Sequence, residues 1–250
     1  MSGVREQVSE AEWKARVELA ALYRLIALHG WDDLIFTHIS ARVPESDHHF
    51  LINPFGWMFE EVTASSLVKV DLDGKKVMDS EHEINPAGFV IHSAVHAARE
   101  DAGCVVHLHT SDGAAVAAMQ GGLLPISQHA MMVAGEVAMH DYEGIAFDLD
   151  ERERLVADLG DKHCMLLKNH GTLALGIDPP AAWLAIYFLE RACTMQVRAM
   201  GAGSGIELPN QGVSEKVHEQ SESLFTGSAG RFTWPAMVRK LDRQDPTYAL

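Results

Sequence analysis

The sequence predicts one α/β domain. Three observations carry that reading. A strongly periodic helix opens the chain and another closes its first two hundred residues. Short apolar runs bounded by turn residues lie between them, first clustered and then alternating with helical segments. No repeat, low-complexity tract or Pro/Ser linker divides the 250 residues, 47% of which are hydrophobic, enough for a sizeable core. The expected organisation is a single domain over 1–250, with its core at about 15–200 and a more polar C-terminal extension at 201–250.

In order, "SEAEWKARVELAALYRLIALHGW" begins with Ser9 and, three residues on, Glu12, a capping-box pattern. Trp13, Val17, Leu22 and Ile26 follow at near-helical spacing, and Gly30 stops the helix; this stripe reads as core. Three strands come next: "LIFTHISARV" (34–43), "HFLINPFG" (49–56) and "LVKVDLDGKKV" (67–77), the last with Asp73-Gly74 as a hairpin turn. Residues 88–100 read as a helix, "GCVVHLHT" (103–110) as a buried strand, and "SDGAAVAAMQGG" as a helix of small residues closed by glycines. A helix at "RERLVADLGD" precedes the strand "HCMLLK". "NHG" (169–171) breaks the chain before the strand "TLALGI". A proline-started, glycine-stopped helix fills 178–201. A helix near 214–224 and the segment "WPAMVRKLDRQDP" complete the chain.

A net charge of −15 without a basic run argues against nucleic acid or an anionic membrane as partner. No run reaches the roughly 18 apolar residues of a membrane span, and "MSGVREQVSEAEWK" lacks the apolar centre of a signal peptide. Cys104, Cys164 and Cys193 are odd in number and widely spaced, which suits reduced thiols in a cytoplasmic protein.

The chemistry-bearing pattern is "CVVHLHT". Residues i and i+2 of a strand share a face, so His107 and His109 stand together with Leu108 turned away. Two metal ligands and a hydrogen-bonded pair of core histidines both fit that pattern. His170, in the chain break before Gly171, is a candidate third ligand. His92 and His96, at i and i+4, suit either a partly exposed helix face or a pocket. His48, His49, His82, His140, His163 and His218 lie in polar surroundings and read as surface, while His38 fits either setting.

The succession "LINPFG", "LVKVDLDG", "INPAGFVIHSAVHAAREDAGCVVHLHTS" and "LLKNHGTLALG" resembles the class II aldolase/adducin family, typified by fuculose-phosphate aldolase, over roughly residues 15–200. The wording of "NPAGFVIHSAVHAARED" is similar to the adducin-like branch. The resemblance implies a three-layer αβα sandwich around a central, mostly antiparallel sheet, and a cyclic homotetramer. It also implies a divalent metal on His107, His109 and His170, with Zn2+ expected and Mn2+ or Fe2+ compatible. It places substrate contacts at Ser40, Phe55, Gly56, Gly88 and His92.

The departures narrow the substrate. Alignment on His92 puts Pro86, Ala87 and Gly88 where the sugar-phosphate aldolases carry Ser-Ser-Glu, so the acid/base glutamate is Gly88 here. Of the other phosphate loops only Ser40 and Gly56 remain, beside Phe55. A buried phosphate dianion needs several donors, so a phosphorylated ketose is disfavoured. The expected function is a metal-dependent lyase that cleaves a C–C bond, by retro-aldol reaction or decarboxylation, in a non-phosphorylated oxo- or hydroxy-acid or aromatic substrate. A non-haem iron oxygenase and a non-catalytic adducin-like binding module are the alternatives. His129, Glu83 and Tyr142, with Glu136 behind them, are the candidate proton carriers.

Overall fold

The computed structural model describes residues 3–46, 48–144, 150–223 and 231–250. Its elements run α1 (Val4–Gln7), α2 (Glu10–Leu28), β1 (His38–Arg42), β2 (Phe50–Ile52), β3 (Val68–Val70), α3 (Pro86–Ala98), β4 (Cys104–Leu108), α4 (Ser111–Ala117), α5 (Gln128–Val133), β5 (Val137–His140), α6 (Glu151–Leu159), β6 (Cys164–Leu167), β7 (Gly171–Gly176), α7 (Pro179–Gly201), α8 (Val213–Ser223) and α9 (Trp234–Gln244). The strands form one sheet in the order β3-β2-β1-β4-β7-β6-β5. Every neighbouring pair is antiparallel except β5 with β6.

Strand alternation assigns the two faces. Ile39, Ala41, Cys104, Val106, Leu108, Leu166 and Ala174 pack against α2, α4, α7 and α9. Val105, Met165, Leu167, Leu173 and Leu175 turn the other way, onto Ile91 and Val95 of α3 and Leu155 and Leu159 of α6. Helices therefore cover both faces, which is the expected three-layer αβα sandwich around a mostly antiparallel sheet.

Helix α2 is tied to the sheet by polar as well as apolar contacts. The buried Tyr23 hydroxyl accepts from the backbone N–H of Ile39 at 2.8 Å and donates to Asn53 Oδ1 at 2.8 Å, joining β1 to the end of β2. Ser9 caps α2 as expected, accepting from Glu12 N at 3.1 Å. The Glu12 side chain does not complete a capping box, because two cations take it instead. Arg16 Nε donates to it at 3.0 Å and Lys69 Nζ at 2.8 Å.

Three local expectations change. The strand read from Leu34 starts only at His38. Leu34 (φ 51°) and Thr37 (φ 64°) are left-handed, and Asp33 and Phe36 close a tight turn instead. The strand read to Val77 keeps only Val68–Val70, with a single bridge from Val70 to Lys76 beyond the Gly74 turn. Helix α5 and strand β5 carry no strong periodicity and go unread in the sequence.

Arg16 is fully buried, and its Nη1 donates to the carbonyls of Leu67 (2.8 Å) and Ala64 (3.2 Å). Arg16→Ala leaves both carbonyls unpaired and Glu12 with Lys69 as its remaining cation, so we expect a loss of about 2–4 kcal/mol in urea unfolding. A loss below about 1 kcal/mol would refute this account of the α2–sheet junction.

Candidate metal centre

The site grows from the pairing of β4 with β7, in which Leu108 stands opposite Thr172. A tight turn joins β6 to β7. Asn169 takes φ 57°, and His170 N donates to Leu167 O at 3.0 Å. Gly171 follows because no side chain fits: an added Cβ would lie 2.2 Å from the Leu108 carbonyl oxygen. This close approach sets His170 beside the end of β4. His109 Nε2 is then 3.0 Å from His107 Nε2 and 2.9 Å from His170 Nε2.

Hydrogen bonds fix two of these rings. His107 Nδ1 lies 3.0 Å from the Thr172 carbonyl and His109 Nδ1 lies 3.1 Å from Asp33 Oδ2. Both partners only accept, so each ring keeps a proton on Nδ1 and turns Nε2 inward, the nitrogen whose lone pair a metal would take. Burial, and then the neighbouring imidazoles, holds His107 well below the usual histidine range. Burial followed by His109 lowers His170 to about 4. Two lone pairs 3.0 Å apart with no proton between them repel. A cation shared by the three nitrogens removes that repulsion. The two spacings from His109 are close to the ~3.3 Å edge of a tetrahedron of nitrogens held about 2.0–2.1 Å from one zinc ion, and all three ligand atoms lie within 4.8 Å of one another. His107, His109 and His170 therefore suit a divalent metal, and they are the grouping of metal-ligating side chains found among the described residues.

Supporting residues continue outward. Thr110 and Thr172, beside the ligands in sequence, both donate to the Glu190 carboxyl on α7. Burial pushes Glu190 up to about 7.

A second cluster lies against the first. His96 Nδ1 donates to the Ala102 carbonyl at 2.8 Å, which leaves its Nε2 to accept from Ser40 Oγ at 2.7 Å. Ser40 has one hydroxyl proton, so at His92 Nδ1, 2.6 Å away, it accepts. His92 and His96 are 1% and 2% exposed, so the expectation of a partly exposed helix face is corrected; Ser40 is what makes their burial tolerable. The Ser40 hydroxyl, expected at the substrate, is taken up by these two imidazoles. His38, opposite His107 in the β1–β4 register, is also buried. Its ring fills the space over Gly88, where an added Cβ would lie 2.4 Å from His38 Cε1.

The remaining expected residues are dispersed. Phe55 and Gly56 form an exposed turn after β2, with Gly56 at φ 93°. Tyr142 is exposed, with its ring centroid 6.1 Å from that of His170. Glu83 is exposed and ion-paired with Lys76 at 2.7 Å. The His129 ring lies tilted at 47° against Phe188 of α7, centroids 5.3 Å apart. Glu136 binds His163 at 2.7 Å. His140, read as surface, is buried with Nδ1 2.7 Å from Oδ2 of Asp158, a half-exposed carboxylate that supplies from the rim the polar contact solvent would give. Sequence reasoning missed Asp33, Glu190 and the placement of His38. Only Glu190 carries a readable signal, as a lone carboxyl in the apolar run "AIYFLERAC".

The Glu190 setting gives a pH test. Its carboxyl is raised from 4.5 to about 7 on folding, so the stability it contributes is complete below pH 4.5 and is lost as pH rises toward 7. Between pH 4.5 and 7 the wild type should lose up to about 3 kcal/mol relative to Glu190→Gln. Parallel stability–pH curves for the two proteins would contradict this.

Comparison with known proteins places these features. The family model for the Class II Aldolase and Adducin N-terminal domain matches residues 17–197. A crystal structure of an aldolase II superfamily protein from Pseudomonas syringae is 53% identical, covers 99% of each chain and superposes with a TM-score of 0.95. L-fuculose 1-phosphate aldolase from Glaciozyma antarctica is 27% identical over 95% of this chain and 92% of its own, with a TM-score of 0.83. Alpha-adducin of Rattus norvegicus is 49% identical over 76% of this chain, a match that spans 26% of the adducin.

Proposed function

The chain belongs to the class II aldolase/adducin family, and from that premise we propose that it is a metal-dependent lyase. Its substrate is a non-phosphorylated oxo- or hydroxy-acid or aromatic compound, cleaved at a C–C bond by retro-aldol reaction or decarboxylation. The observation that carries the reading is the convergence of three imidazole nitrogens, two of them fixed as inward lone pairs. Such a set has use when a cation is held, and a retained ligand set favours the enzymes of this family over its cytoskeletal members.

His107, His109 and His170 would hold the ion, with Zn2+ the expected metal and Mn2+ or Fe2+ compatible. Once bound, it supplies Lewis acidity toward a substrate oxygen as a C–C bond breaks. Asp33 holds the His109 ring in its ligating tautomer. Glu190 positions the ends of β4 and β7 through Thr110 and Thr172. Tyr142, the candidate proton carrier whose ring approaches His170, would deliver a proton to the product side. Decarboxylation asks less of this chain than aldol cleavage, because it needs no base at its start and Gly88 offers none.

The reading includes a homo-oligomer, a tetramer by family resemblance. Leu34 (62% exposed) and Phe36 (46%) support it, since they flank the turn that carries Asp33 and leave an apolar edge for another copy to cover. Among the described residues no helix is long and apolar enough to cross a membrane.

Elemental analysis of protein purified without added metal should find one zinc, manganese or iron per chain. His107→Ala and His170→Ala should each abolish it, and Asp33→Asn should weaken metal affinity roughly 10- to 100-fold. Full metal in both alanine variants would remove the site. Incubation of the metal-loaded protein with non-phosphorylated 2-oxo and 2-hydroxy acids should release a carbonyl product or carbon dioxide. Oxygen-dependent turnover with bound iron would favour an oxygenase instead, and stability unchanged by a chelator would favour a non-catalytic module.

A further inference from the structure

Among the described residues, six buried side-chain polar atoms have no hydrogen-bond partner, and four of them sit on Thr37, His38 and His92. They are both nitrogens of His38, Nε2 of His92 and Oγ1 of Thr37. The ring centroids of His38 and His92 are 4.4 Å apart, and that of His38 is 5.3 Å from that of the metal-ligating His107. Unpaired buried polar atoms cost about 1–3 kcal/mol each, so a cluster of them beside a reaction centre points to a ligand group.

We propose that His38 and His92 form a subsite beside the metal centre that holds one neutral hydroxyl group of the substrate. The inference deepens the lyase reading and rests on it.

The hydrogen-bond chain from Ala102 through His96 and Ser40 decides the polarity. It places the His92 proton on Nδ1, so His92 Nε2 accepts and cannot donate. A ligand there must bring an O–H or N–H. His38, whose ring lies 4.4 Å from that of His92 and beside the backbones of Thr37 and Gly88, has one N–H to turn to the oxygen of the same hydroxyl. A carboxylate or phosphate would instead set an acceptor against the His92 lone pair. No lysine or arginine pairs with these atoms to offset that cost. The substrate class narrows accordingly to compounds with a free, uncharged hydroxyl near the oxygen that binds the metal. Ser40 acts as a positioning residue, through His92.

The test uses the full chain loaded with Co2+, whose visible absorption reports ligand binding. The probes are hydroxyacetone, its near-isostere butanone, and inorganic phosphate. Cobalt content is measured first in the wild type, His92→Phe and Ser40→Ala. With one cobalt per chain in each, the wild type should prefer hydroxyacetone over butanone, and both substitutions should cut that preference about ten-fold. Butanone affinity should stay unchanged, which a general loosening of the fold would not allow. Ser40→Ala, which removes only a hydroxyl, keeps the test open if His92→Phe does not fold. Phosphate binding tighter than hydroxyacetone, or an undiminished preference in the folded, cobalt-loaded variants, would overturn the hydroxyl subsite alone. Failure of the wild type to take up cobalt would overturn the metal reading and this one with it.

Discussion

The antiparallel pairing of β4 with β7 is the constraint on which the rest of the molecule depends. It places Leu108 opposite Thr172 and lets the backbone at Gly171 come so close that no Cβ fits. A slip of one residue would turn His107 to the other face of the sheet, with Val105 following it out of its core. Thus the apolar residues that bury on both faces of β4 also fix the register of the metal ligands. Stability and site geometry are enforced by the same side chains, and function adds no separate cost to the alignment of these two strands.

Much of this was legible in the sequence because it depends on period and punctuation. Two valines before and one leucine between two histidines define a buried strand with both imidazoles on one side, and Asn169-His170-Gly171 marks a turn between apolar runs. What stayed hidden depends on contacts between segments distant in sequence. The burial of His92 and His96 requires Ser40, more than fifty positions earlier, to satisfy one ring nitrogen of each. Leu34 and Thr37 hold positive φ values that neither residue type advertises, so a strand was expected where a turn presents Asp33 to His109. His140 looked like surface because the acidic side chains around it are ordinarily solvated, and here two of them lie beside a buried ring.

The molecule separates its charges from its reaction centre. A net charge of −15 is carried largely by solvated side chains, whereas the interior beside the metal ligands is built mostly from imidazoles and hydroxyls, with Asp33 and Glu190 as its carboxyl groups. Neutral groups keep their hydrogen-bond directions without attracting counter-ions, so each proton position follows from its neighbour's. The Arg16–Glu12–Lys69 network serves a different end, welding α2 to the strand edge on the opposite face.

The contact between His38 and Gly88 bears on how such a chain could change in evolution. The imidazole occupies the volume that any side chain at position 88 would need, at the position that aligns with the glutamate of the family's sugar-phosphate aldolases. Regaining an acid at 88 while His38 remains forces a collision, and losing His38 first leaves a buried void. Each single step passes through a less stable protein. The pair therefore acts as a ratchet between two lineages of one fold, and swapping one residue at a time is the slow road between them.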